Sequence, residues 1–178
     1  IGILPFAGID AATIAEIQKG MEQHTQVKFT LLKETALPAF AFYKPRQRYI
    51  ADSLLLFLSN YNDHKFDKII AITAHDISTK KNGYVNYGIM GQGYCPGQAC
   101  VVSTFRPKKN VSRKQFIDRM ITLALHELGH TYSLPHCPDQ KCFMVDAEGK
   151  MKLDNTKSYC ADCRSTLVKK GILRSAQQ

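Results

Sequence analysis

The alternation of apolar and polar positions along the 178-residue chain predicts strands and helices in turn. Ile1–Phe6 reads as a first strand, closed by Pro5 and Gly8. Asp10 is placed to cap a helix running to about Gln23, in which Ile14, Ile17 and Met21 recur at core spacing. Val27–Leu32, with Val27, Phe29 and Leu31 alternating, predicts a second strand. After a loop through Pro38, Pro45 opens a helix to about Tyr61, with Ile50, Leu54, Leu55 and Leu58 as its apolar stripe. The β-branched run Lys68–Thr73 reads as a buried central strand, Asn82 and Gly83 as a turn, and Tyr84–Met90 and Ala99–Phe105 as further strands. Gly88, Gly91 and Gly93 mark an edge strand or a backbone that something approaches closely. Ser112 caps a long helix from about Arg113 to Tyr132, with Phe116, Met120, Leu123 and Leu128 turned to the core. Beyond Pro135 the periodicity fades until a short helix over Ala161–Gly171. The class is α/β (α+β): one domain over 1–178, with an α/β lobe over 1–132 and a small lobe over 133–178.

Composition changes this picture little. The chain is 44% hydrophobic, has no Trp, and holds no apolar run near the ~20 residues that cross a membrane. Its opening residues lack the basic leader and long apolar core of a signal segment, although the numbering starts without Met. Charge is more informative. Of the net +9, residues 101–178 carry 14 Lys/Arg against 7 Asp/Glu, and residues 1–100 carry 10 against 8. A basic C-terminal half attracts nucleic acid, anionic lipid or acidic peptides, or is simply a solvated face, which is the commoner case.

The chemistry is concentrated between His126 and Cys163. His126 and His130 are four apart, so on a helix they lie one turn apart on one face, the spacing at which two imidazoles bind one zinc ion. Glu127 is displaced about 100° from them. It is a poor ligand there, yet well placed to take a proton from water. His136 follows six residues after His130, and three neutral nitrogens leave one position of a tetrahedral zinc open, as in catalytic sites. Cys137, Cys142, Cys160 and Cys163 then follow as C-x4-C-x17-C-x2-C. Four thiolates close a zinc site, which is the structural arrangement, and they argue for a reducing, cytoplasmic compartment over two disulfides.

An H-E-x-x-H alone is a moderate signal, and a third His six residues on narrows it to the metzincin pattern. With Cys137 directly after His136, then Cys142-Phe143-Met144, then the Cys160/Cys163 pair, the stretch resembles the archaemetzincin family of zinc metallopeptidases. The resemblance implies two zinc ions, the catalytic one on His126, His130 and His136 and the structural one on Cys137, Cys142, Cys160 and Cys163. It implies Glu127 as general base and Met144 in the turn beneath the catalytic zinc. Taken alone, Met144 reads as core filler. The resemblance further implies a twisted, mixed five-stranded sheet whose edge strand lies antiparallel to an extended peptide or protein substrate. Tyr84–Tyr94 is the candidate edge. Ser133 departs from the pattern, standing where metzincins generally have Gly at the end of the active helix. A residue other than Gly costs about 1 kcal/mol or more there if φ is positive.

Zinc-dependent hydrolysis of peptide bonds by a monomer is therefore expected, with Tyr132 or Tyr159 as a donor to the developing oxyanion. The alternative is a zinc-stabilised binding module whose basic half docks nucleic acid or protein. The chain lacks the interleaved aromatic and basic residues of single-strand binders, which argues against nucleic acid as a partner. Cys95 and Cys100 read as ordinary thiols before a strained disulfide or a metal pair. His24, His64 and His75 read as isolated residues on the surface or near loops. Arg106, Lys108, Lys109, Arg113 and Lys114 crowd the N-terminal end of the long helix, where positive charge is unfavourable unless partnered, a solvated loop being the commoner case.

Overall fold

The computed structural model describes residues 1–81, 83–147 and 150–175. In chain order its elements are β1 (Gly2–Pro5), α1 (Ala11–His24), β2 (Thr30–Leu31), β3 (Phe42–Tyr43), β4 (Arg48–Ile50), α2 (Ala51–Asn62) and β5 (Ile69–Thr73). They continue with β6 (Ile77–Lys81), β7 (Tyr84–Ile89), β8 (Gly91–Gly93), β9 (Ala99–Ser103), α3 (Arg113–Thr131) and α4 (Ala161–Lys169). A mixed five-stranded sheet runs β2-β1-β5-β9-β8, parallel except for β8, which is antiparallel to β9. A second sheet runs β3-β4-β6-β7.

Strand periodicity distributes the core on the two faces of the larger sheet. Ile3, Ile70, Ile72 and Val102 face one way and pack with Ile14, Ile17 and Met21 of α1 and Met120, Leu123 and Ala124 of α3. Leu4, Ile69, Ala71 and Val101 face the other way, onto Leu54, Leu55 and Leu58 of α2. Asp10 caps α1 by accepting from the Thr13 N–H, and Ser112 caps α3 by accepting from the Gln115 N–H. Among the described residues no helix is long and apolar enough to cross a membrane.

Three expectations are corrected. Pro45 does not open α2: it sits in a short 3₁₀ turn that ends at Gln47 in the left-handed region, and Tyr49 and Ile50 then pair with Ile77 and Ser78. Sheet pairing there overrides the local helical pattern, so α2 begins only at Ala51, after Ile50. Strand β2 keeps only Thr30 and Leu31 of the predicted Val27–Leu32, the two residues that find register against β1. The stretch Tyr84–Tyr94 is not one edge but two: β7 closes the smaller sheet and β8 the larger. The chain changes partner at Met90, whose carbonyl accepts from Ser103 N–H. Of the turn before β7, Gly83 takes φ +79°, and Asn82 lies outside the described residues.

Candidate metal centre

Helix α3 places His126, Glu127 and His130, and its burial comes from Met120, Leu123, Ala124, Leu125 and Leu128 along the same helix. It stops in a Schellman turn: Ser133 N–H reaches the His130 carbonyl and Leu134 N–H the Gly129 carbonyl. Ser133 adopts φ +71°, the left-handed conformation at which Gly is usual. The turn still forms, and it swings His136 back over the helix end.

The three imidazoles then converge. The ring nitrogens of His126, His130 and His136 include one from each residue that lie within 4.8 Å of one another, and the Nε2 atoms of His126 and His130 are 3.1 Å apart. Each Nδ1 has an oxygen partner. His126 Nδ1 is 2.6 Å from the Phe143 carbonyl, His130 Nδ1 is 2.8 Å from the Leu134 carbonyl, and His136 Nδ1 is 3.3 Å from Asp146 Oδ2. A carbonyl only accepts, so Nδ1 carries the proton in His126 and His130 and both Nε2 lone pairs turn inward. Two facing lone pairs repel unless a cation lies between them. Their spacing fits tetrahedral zinc, for which Zn–N of about 2.0–2.1 Å separates ligands by about 3.3 Å. Burial and the neighbouring His130 hold His126 down to about 3, and burial likewise lowers His130, so both rings stay neutral, as ligands must.

Glu127 is buried beneath β8 and accepts a hydrogen bond from Gly93 N–H. Desolvation raises its carboxyl to about 8, against which the Gly93 bond works. The two glycines of β8 have their explanation here. A side chain on Gly91 would begin 2.6 Å from Glu127 Oε1, and one on Gly93 would begin 2.6 Å from the Glu127 carbonyl oxygen.

Next to this group, one sulfur from each of Cys137, Cys142, Cys160 and Cys163 gathers within 4.8 Å of the others. Cys137 and Cys160 sulfurs are 3.7 Å apart, far beyond a disulfide and close to the roughly 3.8 Å edge of a tetrahedron with Zn–S of about 2.3 Å. Burial pushes the Cys142 thiol up, and the backbone N–H groups of Met144 and Cys160, which point at its Sγ at 3.4 and 3.3 Å, work against that. Met144 is fully buried, and its carbonyl accepts from Cys137 N–H, so the same short segment braces both clusters.

A cavity in front of the histidines is lined by His126, Glu127, His136, Tyr87, Phe143 and Val145. Neither predicted tyrosine reaches it. Tyr159 is half-buried and donates to the Leu125 carbonyl at 2.7 Å, and Tyr132 lies under the Lys68 ammonium, 4.9 Å from its ring centre. Both are held by burial above the ordinary phenol range, Tyr132 up to about 12. Packing of each ring against the body of the protein decides the matter, and residue type alone does not report it.

Outside the centre, Cys95 is exposed and Cys100 is buried in β9, both as free thiols. Arg106 and Arg113 of the basic cluster have partners within the chain, Asp76 and Glu16. Asp76 is a residue that the sequence pattern did not single out. It is buried and held by both Arg48 (2.7 Å) and Arg106 (2.9 Å). The signal available for it was weak, a lone Asp between two strands.

Comparison with known proteins adds an independent line. Residues 14–169 match the model for peptidase family M54. The chain is 31% identical over 136 residues to the archaemetzincin of Methanopyrus kandleri, covering 76% of this chain and 74% of that protein. It is 27% identical over 176 residues to the archaemetzincin of Halobacterium salinarum, covering 94% and 98%. The crystal structure of archaemetzincin from Methanopyrus kandleri superposes with a TM-score of 0.80 at 25% identity, covering 94% of this chain and 92% of that one.

Proposed function

This chain belongs to the archaemetzincin family of zinc metallopeptidases, peptidase family M54, and from that membership we propose that His126, His130 and His136 hold its catalytic zinc while Glu127 is the general base. The observation that carries the reading is the convergence of two lone pairs, at 3.1 Å, beside one buried carboxylate.

Zinc held there supplies Lewis-acid polarisation of the scissile carbonyl and acidifies water towards a pKa of about 7. The chain's own residues do the rest. Glu127 takes the proton of the attacking water and returns it to the leaving amine nitrogen. Gly93 N–H fixes the orientation of the carboxylate. Phe143 and Leu134 carbonyls hold His126 and His130 in the tautomer that presents Nε2. In β8, Gly91 and Gly93 alternate with Gln92, which is paired with Val101, so their backbone groups turn away from β9, the Gly93 N–H being taken by Glu127. That outer edge, together with β7, receives an extended peptide. Cys137, Cys142, Cys160 and Cys163 hold a second, structural zinc that staples residues 133–178 as a small lobe of a single domain. Thiolates kept for zinc fit a reducing compartment.

Metal analysis and peptide cleavage on one set of variants test the assignment. His126→Ala is expected to hold one zinc per chain instead of two and to lose cleavage. Cys160→Ser is expected to lose the other zinc together with the stability of the small lobe. Two zinc ions retained by His126→Ala would refute it.

A further inference from the structure

We propose that Asp52 is a positioning residue for the reaction: acting through Gln92, it holds β8 against Glu127 from the far side of the sheet. The inference rests on the reading above that Glu127 is the general base.

Strand β8 lies between two helices. Side chains alternate along it, so Gly91 and Gly93 face Glu127 on α3 while Gln92 points to the opposite face. There Gln92 Nε2 donates to Asp52 Oδ1 at 2.7 Å, and Asp52 Oδ2 accepts from Thr79 Oγ1 at 2.9 Å. Asp52 stands in the first turn of α2, where free backbone N–H groups and the helix dipole favour a carboxylate. Ile50, at the start of the same helix, pairs with Ser78 of β6. One carboxylate therefore ties the edge of the larger sheet to the smaller one.

The Gln92 amide shows how firmly that tie is set. Its Oε1 is buried and has no hydrogen-bond partner among the described residues. Turning the amide over would place Oε1 against the Asp52 carboxylate, acceptor against acceptor, so the Asp52 contact fixes Nε2 towards it and leaves Oε1 orphaned. A buried acceptor without a donor is costly. An apolar side chain at position 92 would avoid that cost but would release β8 from Asp52. Strand β8 has three residues and is bonded to β9 on one side only, so its tilt towards α3 depends on such a tie. The fit on the α3 side has no slack, since a β-carbon on Gly91 would begin 2.6 Å from Glu127 Oε1. Gly93 N–H turns away from β9 to the Glu127 carboxylate, and a rocking of β8 away from α3 lengthens that bond first.

The test compares the zinc-loaded wild type with Asp52→Ala, Asp52→Asn and Gln92→Leu by amide hydrogen exchange, melting temperature and peptide cleavage. Asp52 is exposed, so substitution there spares the core. In Asp52→Ala and Gln92→Leu the Gly93 N–H is expected to exchange about tenfold faster, while the Tyr94 N–H, bonded to the Ala99 carbonyl, keeps its rate. In both, kcat is expected to fall about fivefold with a smaller change in KM. Gln92→Leu should lose kcat at a melting temperature equal to or above that of the wild type, because it removes the buried acceptor; a role in stability alone would leave kcat unchanged there. Asp52→Asn can accept from Gln92 and donate to Thr79, and should bring Gly93 exchange and kcat back to within about twofold of the wild type. Unchanged Gly93 exchange or unchanged kcat in Asp52→Ala, or kcat losses that follow the melting temperature across the three variants, would overturn the proposal. Faster Gly93 exchange in both variants, with no cleavage even by the wild type, would uphold the hold of Asp52 on β8 and count against the peptidase reading alone.

Discussion

Met144 occupies the space that a side chain on Gly129 would need: a β-carbon there would overlap the Met144 sulfur. Gly129 lies between Glu127 and His130 on α3, and Met144 is fully buried with its carbonyl on Cys137 N–H. The pair thus sets how closely the segment bearing the Phe143 carbonyl can approach the helix bearing His126. Gly129→Ala is expected to destabilise the zinc-loaded protein by about 1–3 kcal/mol, the usual cost of overpacking, and to weaken zinc retention by the histidines. Denaturant titration and metal analysis would show it. Unchanged stability would mean that Met144 moves aside freely.

Ser133 carries a cost of the opposite kind. At φ +71° its side chain is strained by about 1 kcal/mol, and Gly there loses about 0.5–1 kcal/mol of chain entropy on folding. Ser133→Gly is therefore expected to raise stability by less than about 1 kcal/mol, and Ser133→Val, branched at Cβ, to lower it by more than about 1 kcal/mol. Melting temperatures of the three proteins would decide. A valine variant as stable as the wild type would contradict the account of the helix end.

These local features explain what the sequence made legible. The i, i+4 histidines, the adjacent Glu127, the capping residues Asp10 and Ser112, and the strained Ser133 all depend on neighbours within about two helical turns. The chain order of residues there is close to their order in space. The strands β6 and β8, the two-sheet split at Met90, and the late start of α2 depend on pairing with distant segments, which local pattern does not encode. The tyrosines failed for the same reason. Tyr159 is committed to the Leu125 carbonyl, 34 positions away in sequence. Asp76 gathers Arg48 and Arg106 from either side of it only once both sheets have formed.

That arginine pair predicts a kinetic effect. Arg48 reaches from Asp76 to the Asn86 carbonyl, and Arg106 lies where a side chain on Gly88 would be, so both guanidiniums brace β7 against the body of the protein. Asp76→Asn leaves two arginines facing one neutral amide, and should loosen β7 without touching the three histidines. KM for extended peptides is expected to rise about fivefold or more with kcat within about twofold. Equal losses in both constants would place Asp76 in a different role.

A pH dependence follows from Arg119 and Asp154. Two hydrogen bonds from the Arg119 guanidinium, at 2.7 and 2.6 Å, hold the Asp154 carboxyl below its ordinary 3.8. The stabilisation is complete above that value, where the unfolded carboxyl is also ionised, and is lost as pH falls through the lower folded value. Asp154→Asn is expected to cost about 1–2 kcal/mol at pH 7, because the Asp154 side chain is one-third exposed while Arg119 is not. The gap to the wild type should narrow below about pH 4, in denaturation curves recorded with both proteins in the same metal state. A gap constant down to pH 2 would exclude the ion pair as its source.

In the proposed reaction one buried carboxylate, Glu127, performs the proton transfers of peptide hydrolysis beside the three histidines. The most direct measurement is a cleavage profile: a broad peptide library incubated with the zinc-loaded protein, new termini read by mass spectrometry, and Glu127→Ala run in parallel. Cuts are expected with the wild type, and none with Glu127→Ala despite the same zinc content. Cuts that persist in Glu127→Ala would contradict it.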